Sequence, residues 1–228
     1  MNVINMIEEG ITKYDNTRTK QIGIYYPSEI YECRRKLWYS YHYPTSLDFE
    51  TRKNFAVGIA LHELVQSSLV LYLKNSQTKV YNELEKMVYK GDGYELHGRL
   101  DTIIFEEDGK THVVEFKTTN SLNKIKQLMP HHFEQINYYL HFYPEAEGHL
   151  IYINKKAKAK LKTWEAFKEF NGIQYSDPAF KQSLERTKMA DDHLKNNTLP
   201  VAEAKQDEKT KWQCWYCPFK AKCDKNEN

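Results

Sequence analysis

The chain has 228 residues, 33 basic and 31 acidic, with a formal net charge of +2. That length supports one domain with a sizeable core, with or without an appendage, and the near balance of charge excludes a histone-like polycation. Any nucleic-acid binding must come from a local basic patch, and 17 Tyr, 10 Phe and 4 Trp exclude collagen-like, disordered and low-complexity readings.

The first twenty residues mix charges and lack the continuous apolar run of a signal peptide. Pro27-Ser28 reads as a helix start with Ser28 as N-cap, and the helix over 28–41 carries Cys33, Arg34, Arg35 and Lys36 among Tyr31, Leu37, Trp38 and Tyr39. Residues 52–74 read as a longer helix, with Phe55, Ile59, His62, Val65 and Leu69 at spacings of three and four. Its most apolar part, Leu61 to Leu73, is interrupted by His62, Glu63, Gln66 and two serines, which argues against a membrane span. Gly91-Asp92-Gly93 is a turn, Tyr94 to Phe105 a strand, Glu107-Asp108-Gly109 the next turn, and Thr111 to Thr118 a β-rich strand. A helix over His131 to Phe142 and a short final strand over Leu150 to Ile153 follow, then lysines at 155, 156, 158, 160 and 162. Residues 163–195 read as mainly helical around an Asp177-Pro178 break, and the tail from Pro200 carries three cysteines. The pattern is α/β, a small mixed sheet flanked by helices. With neither leader nor span, the expected compartment is the cytoplasm, with no membrane partner. There the four cysteines serve as metal or cluster ligands rather than disulfides.

The informative segment is Gly98-Arg99-Leu100-Asp101 followed by Glu115-Phe116-Lys117. Strand alternation puts Glu115 and Lys117 on one face. If Glu107-Asp108-Gly109 is a three-residue loop, residue 106 pairs with 110 and Asp101 lies opposite Glu115, with Gly109 in the left-handed region. A two-residue loop would send the carboxylates to opposite faces. Facing carboxylates repel unless a cation lies between them, and hard oxygen ligands suit Mg²⁺ or Mn²⁺, which can hold a phosphate and activate water. Lys117 is placed to orient that water or neutralise developing charge. Surface ion pairs give the same spacing at Glu203/Lys205, Asp108/Lys110 and Asp207/Lys209; only Glu115-x-Lys117 ends an apolar strand with an aspartate in register upstream. On spacing alone His62 reads as a core histidine. Gln135 and Tyr139, at i,i+4 with His131 a turn earlier, matter only if the fold brings their helix to the hairpin.

Cys214-x2-Cys217-x5-Cys223 is a tight cluster, and Cys33 stands 181 residues before it. Three thiolates plus one are compatible with an iron–sulfur cluster or with zinc, either of which would clasp the N-terminal helix to the C-terminal tail.

Together, Ser28 to Tyr39 with Cys33, Gly58-x3-His62, Gly98-Arg-Leu-Asp101, Glu115-Phe-Lys117-Thr, Gln135-x3-Tyr139 and the three-cysteine tail run in the order of a known family. The chain resembles the RecB-like branch of the PD-(D/E)XK nucleases, and within it the fourth family of CRISPR-associated nucleases. The resemblance implies a restriction-endonuclease-like core over 51–165, an N-terminal helical segment (1–50) supplying one cysteine, and a C-terminal segment (166–228) supplying three, as one compact domain. It implies that His62, Asp101, Glu115 and the Phe116 carbonyl bind Mg²⁺ or Mn²⁺, that Lys117 is catalytic beside Glu115 and Asp101, and that Gln135 and Tyr139 position the site or the DNA. It favours a 4Fe–4S cluster on Cys33, Cys214, Cys217 and Cys223. Arg34 follows Cys33 where that family often has proline.

The implied activity is DNA exonuclease action on single-stranded or frayed ends, processing CRISPR spacer precursors with the CRISPR integrase complex. Arg34, Arg35 and the lysine run offer a phosphate path. The rival readings are a stand-alone recombination or repair nuclease, a catalytically silent cluster-bearing DNA-binding subunit, and a zinc-stabilised structural module. The oligomeric state stays open, a homo-oligomer included.

Overall fold

A computed structural model describes residues 20–43, 49–156 and 166–225, with Met6 and Glu9. The elements are β1 (Ile24–Tyr25), α1 (Pro27–Ile30), α2 (Arg34–His42), α3 (Phe49–Leu73), β2 (Lys79–Lys90), β3 (Glu95–Phe105), β4 (Thr111–Thr119), α4 (Pro130–Phe142), β5 (Glu147–Asn154), β6 (Phe167–Ile173), α5 (Asp177–Lys195), α6 (Glu203–Gln206), α7 (Trp212–Trp215) and α8 (Lys220–Lys225). The architecture is the mixed α/β sheet flanked by helices that the sequence pattern implies.

The described residues gather into two compact units: one holds those of Leu47–Met87 and Gly98–Asp177, the other those of Arg18–Ser46, Val88–His97 and Pro178–Asn228. In the first, the order β3-β4-β5-β6 forms the sheet, with β2 also pairing with β3. The β3–β4 and β5–β6 pairs are antiparallel, whereas β4 and β5 run parallel from His112↔Glu147 to Thr119↔Asn154, joined by the crossover through α4. Val113, Ile136, Leu140 and Leu150 are fully buried. Val114, Phe116 and Ile153, on the other face of their strands, pack with Leu61, Val65 and Leu69 of α3. The second unit opens with β1 beside the start of β3 (Ile24↔Glu95) and carries α1, α2 and α5–α8.

The hairpin closes as the odd loop. Glu106 N–H donates to Lys110 O at 2.8 Å, and Gly109 takes φ +88°, which glycine adopts without a Cβ clash. The pairs run Phe105↔Thr111 through Thr102↔Val114, so one further step sets Asp101 against Glu115.

Three expectations are corrected: the single 28–41 helix, its Ser28 cap, and a short final strand followed by helix. The 28–41 helix is two, separated at residues 31–33. Pro27 starts the first, and Glu29 reaches back to Tyr26 N–H at 3.3 Å, so Ser28 lies inside the helix rather than capping it. The strand ending at Ile153 is longer, Glu147–Asn154, and is not the last: Phe167–Ile173, expected within a helical stretch, is the edge strand β6, exposed and half-buried residues alternating from Phe167 to Asn171. The twelve-residue β2, mixed in charge, is a further strand in a stretch to which the sequence pattern assigned no element. By length and composition, α3 holds an 18-residue stretch apolar enough to cross a membrane, with a mean hydropathy of 1.5 over that stretch. Of its polar interruptions, Gln66 is buried and engaged.

Candidate active site

Beyond Thr102 the Asp101 side chain takes a place in the strand pairing: its Oδ2 accepts the main-chain N–H of Phe116 at 2.8 Å. The same oxygen lies 3.6 Å from His62 Nδ1, and the His62 ring meets Phe116 edge-on with centroids 5.9 Å apart. One turn further along α3, Gln66 Nε2 donates to the Asp101 main-chain oxygen at 2.8 Å and to Glu83 Oε1 at 2.9 Å.

Glu115, 2% exposed, accepts through Oε1 from Lys117 Nζ at 2.6 Å and from Gln135 Nε2 at 2.7 Å. Gln135 Oε1 accepts a second bond from Lys117 at 2.6 Å, so one amide holds both ends of the ion pair. Tyr139, a turn later, lies 3.4 Å from Gln135 Nε2 and donates to Arg99 O at 2.9 Å. The structure thus brings α4 to the hairpin. Gly98 permits it: a Cβ there would lie 2.5 Å from the Tyr138 ring and 2.8 Å from that of Tyr139.

Burial, and then the charge of Asp101, push the Glu115 carboxyl up to about 8, against the pull of Lys117. Burial also raises Asp101, against His62, Lys117 and the Phe116 N–H, and lowers His62. His131 is pushed down to about 4 by burial and by the Lys117 charge. Glu115 Oε2 is buried without a hydrogen-bond partner among the described residues. Low dielectric, two converging carboxylates and an orphan oxygen describe a site that gains from a divalent cation. Two carboxylates, a neutral imidazole and a main-chain carbonyl suit Mg²⁺ or Mn²⁺, so the residues fit the ion.

Three residues here escape the sequence reading. Gln66 carries a detectable signal, one turn after His62 on the same helix. Glu83 does not: it sits on β2 at φ +52°, where a non-glycine residue is strained. Its carboxylate contacts Gln66 and lies 2.8 Å from Arg99 Nε, and its charge acts on His62, Asp101 and Glu115. Arg99 is set by its place between Gly98 and Asp101.

In the second unit Cys33 and Cys223 are buried, Cys214 and Cys217 half-buried, and all four are free thiols. Burial raises Cys214 and Cys217, and Cys33 and Cys223 add to both shifts, so the four lie within electrostatic reach of one another. A cation that binds thiolates would offset that cost, so the residues fit a thiolate-bound metal centre, zinc or a cluster alike. Arg34 is committed to Glu203, through Nε at 3.0 Å and Nη2 at 2.9 Å, and Arg35 to Pro200 O at 2.7 Å. Lys155 reaches Asn54 O at 3.1 Å, Lys156 is exposed, and Lys158, Lys160 and Lys162 lie outside the described residues.

The profile of the PD-(D/E)XK nuclease superfamily matches residues 68–224, more than half of the chain. The chain belongs to that superfamily. Nucleases of the superfamily use divalent metals, and Asp101, Glu115, Lys117, Gln135 and Tyr139 all lie inside the matched span, while His62 and Cys33 precede it. The chain is similar to the CRISPR-associated exonuclease Cas4 of Saccharolobus solfataricus, at 24% identity over 210 residues, covering 91% of this chain and 90% of that one. Its fold is similar to the crystal structure of SSO0001, with a TM-score of 0.64 and 20% identity over 97% of this chain and 96% of that one. An alkaline exonuclease from Laribacter hongkongensis matches more loosely, at a TM-score of 0.47, 11% identity, and 77% and 90% coverage.

Proposed function

We propose that this superfamily member is a metal-dependent DNA exonuclease acting on single-stranded or frayed ends, comparable in activity to its Cas4 relative. The observation that carries the reading is the buried Glu115 carboxylate, bonded through one oxygen to Lys117 and Gln135, with its other oxygen unpartnered and Asp101 close enough to raise its pKa.

In this reading Asp101, Glu115, His62 and the Phe116 carbonyl hold Mg²⁺ or Mn²⁺. The bound ion supplies phosphate binding and water activation for in-line displacement. Gln135 fixes the Lys117 ammonium, which neutralises the charge that develops on the phosphate. The Phe116 N–H orients Asp101 and opposes the rise that burial imposes on its carboxyl, and Tyr139 anchors α4 to Arg99. Cys33, Cys214, Cys217 and Cys223 carry a 4Fe–4S cluster that clasps the two ends of the chain. The partner in the cell is the CRISPR integrase complex, and the product is a trimmed spacer precursor.

The test is digestion of end-labelled linear single-stranded DNA with Mn²⁺, beside a circular strand of the same sequence. Nucleotides released from the linear strand alone, and none with EDTA, are the expected result. Equal cutting of the circle, or no cutting of either, overturns the exonuclease reading.

A further inference from the structure

His112 and His149 lie on neighbouring parallel strands, β4 and β5, and strand alternation puts His112 on the opposite face of β4 from Glu115 and Lys117. The register pairs His112 with Glu147 and sets His149 one alternation further along the same face. The ring nitrogens meet directly, His112 Nδ1 and His149 Nε2 standing 2.9 Å apart. Glu147 Oε1 lies 3.6 Å from His149 Nε2.

Each ring has a carboxylate behind it. His149 Nδ1 bonds to Glu169 Oε1 of β6 at 2.8 Å, which places the ring proton on Nδ1 and leaves the Nε2 lone pair facing His112. His112 Nε2 is buried with no hydrogen-bond partner among the described residues, and Glu106 Oε2 stands 3.6 Å away, just beyond bonding distance.

From this geometry we infer a second metal site, a divalent transition-metal centre of the zinc type, held by His112 Nδ1, His149 Nε2 and Glu147. One ligand atom from each of the three residues falls within 4.8 Å of the others. Metal–nitrogen bonds of about 2.0–2.1 Å at a tetrahedral angle hold ligand atoms roughly 3.3 Å apart. The observed 2.9 Å and 3.6 Å bracket that spacing, so small side-chain shifts seat the ion.

Metal on His112 Nδ1 also moves that ring's proton to Nε2, where it turns toward Glu106. The unpartnered nitrogen then becomes a donor with a carboxylate acceptor, and both histidines acquire the outer carboxylate that metal-bound imidazoles generally have. Two imidazoles and one carboxylate select zinc-class ions over Mg²⁺ or Mn²⁺, so this site and the Asp101/Glu115 site prefer different metals. Three protein ligands leave a fourth position to solvent. The ion would tie β4 to β5 directly and to β6 through Glu169.

The inference does not depend on the nuclease reading, and its test reads metal rather than cleavage. Zinc is titrated into the full chain and into the His149→Gln and Glu147→Gln variants, and bound zinc is counted after equilibrium dialysis. The wild-type chain should bind one more equivalent than either variant, or bind that equivalent at least tenfold more tightly. Its melting temperature should rise with zinc more than that of either variant. Glu147 keeps 41% of its side chain exposed against 17% for His149, so its substitution tests the site even where the loss of His149 impairs folding. Identical zinc stoichiometry, affinity and thermal response in wild type and Glu147→Gln overturn the site.

Discussion

Phe116 gives its main-chain N–H to the Asp101 carboxylate at 2.8 Å, so the side chain at the start of the site is fixed by the strand that carries the rest of it. Asp101 on β3 and the Glu115–Lys117 stretch of β4 are thereby one rigid unit. Helices add to it from two directions: α3 brings His62 and Gln66, and α4 brings Gln135 and Tyr139.

The Glu115 carboxyl, raised from its ordinary 4.5 to about 8, makes metal binding pH-dependent. Without metal, the folded chain holds a proton between those values that the unfolded chain has released. That contribution to stability is full below 4.5 and is lost as pH rises through about 8. Metal displaces the same proton, so Mn²⁺ affinity should climb with pH and level off above about 8. In Glu83→Gln the plateau should arrive at lower pH, because the Glu83 charge raises both Asp101 and Glu115. Calorimetric Mn²⁺ titrations across the range check both; a pH-independent affinity contradicts them.

Gly98→Ala should loosen α4 from the hairpin, since the new methyl would sit 2.5 Å from the Tyr138 ring. Overpacking of this kind costs about 1–3 kcal/mol, a melting-temperature loss on the order of 2–10 °C at this chain length. Cleavage should fall with it, as Gln135 rides on the same helix. A melting curve that matches wild type would show that α4 does not pack there as described.

The hairpin register was legible because it rests on local chemistry: a loop of odd length, with glycine at its left-handed position, fixes every pair behind it. That Gln135 would reach Glu115 was not, because the meeting depends on how closely α4 approaches the sheet. Gly98 controls that approach, yet its spacing to Tyr138 says nothing of it. The edge strand β6 was missed because a half-exposed strand of mixed polarity lacks the continuous apolar run that marks β4. Glu83 was missed for a related reason: its strand gave no clear pattern, and a left-handed residue within it departs from any simple alternation.

Cys33→Ser should remove one arm of the proposed clasp. Anaerobically purified wild-type protein should be brown and iron-bearing, and the variant should lose visible absorbance and melt at lower temperature. Zinc in place of iron in a colourless wild-type protein would reassign the ligand. An unaltered spectrum and melting curve in the variant would refute the clasp.

The most direct test of the account compares wild type with Lys117→Ala in Mn²⁺-dependent digestion of linear DNA, with binding to the same DNA measured beside it. Lys117 bonds only within the site, to Glu115 and Gln135, among its described hydrogen bonds. Its loss should therefore lower the cleavage rate by roughly 10²–10⁴-fold while DNA affinity changes little. Unchanged turnover in Lys117→Ala would contradict the assignment of this site to catalysis.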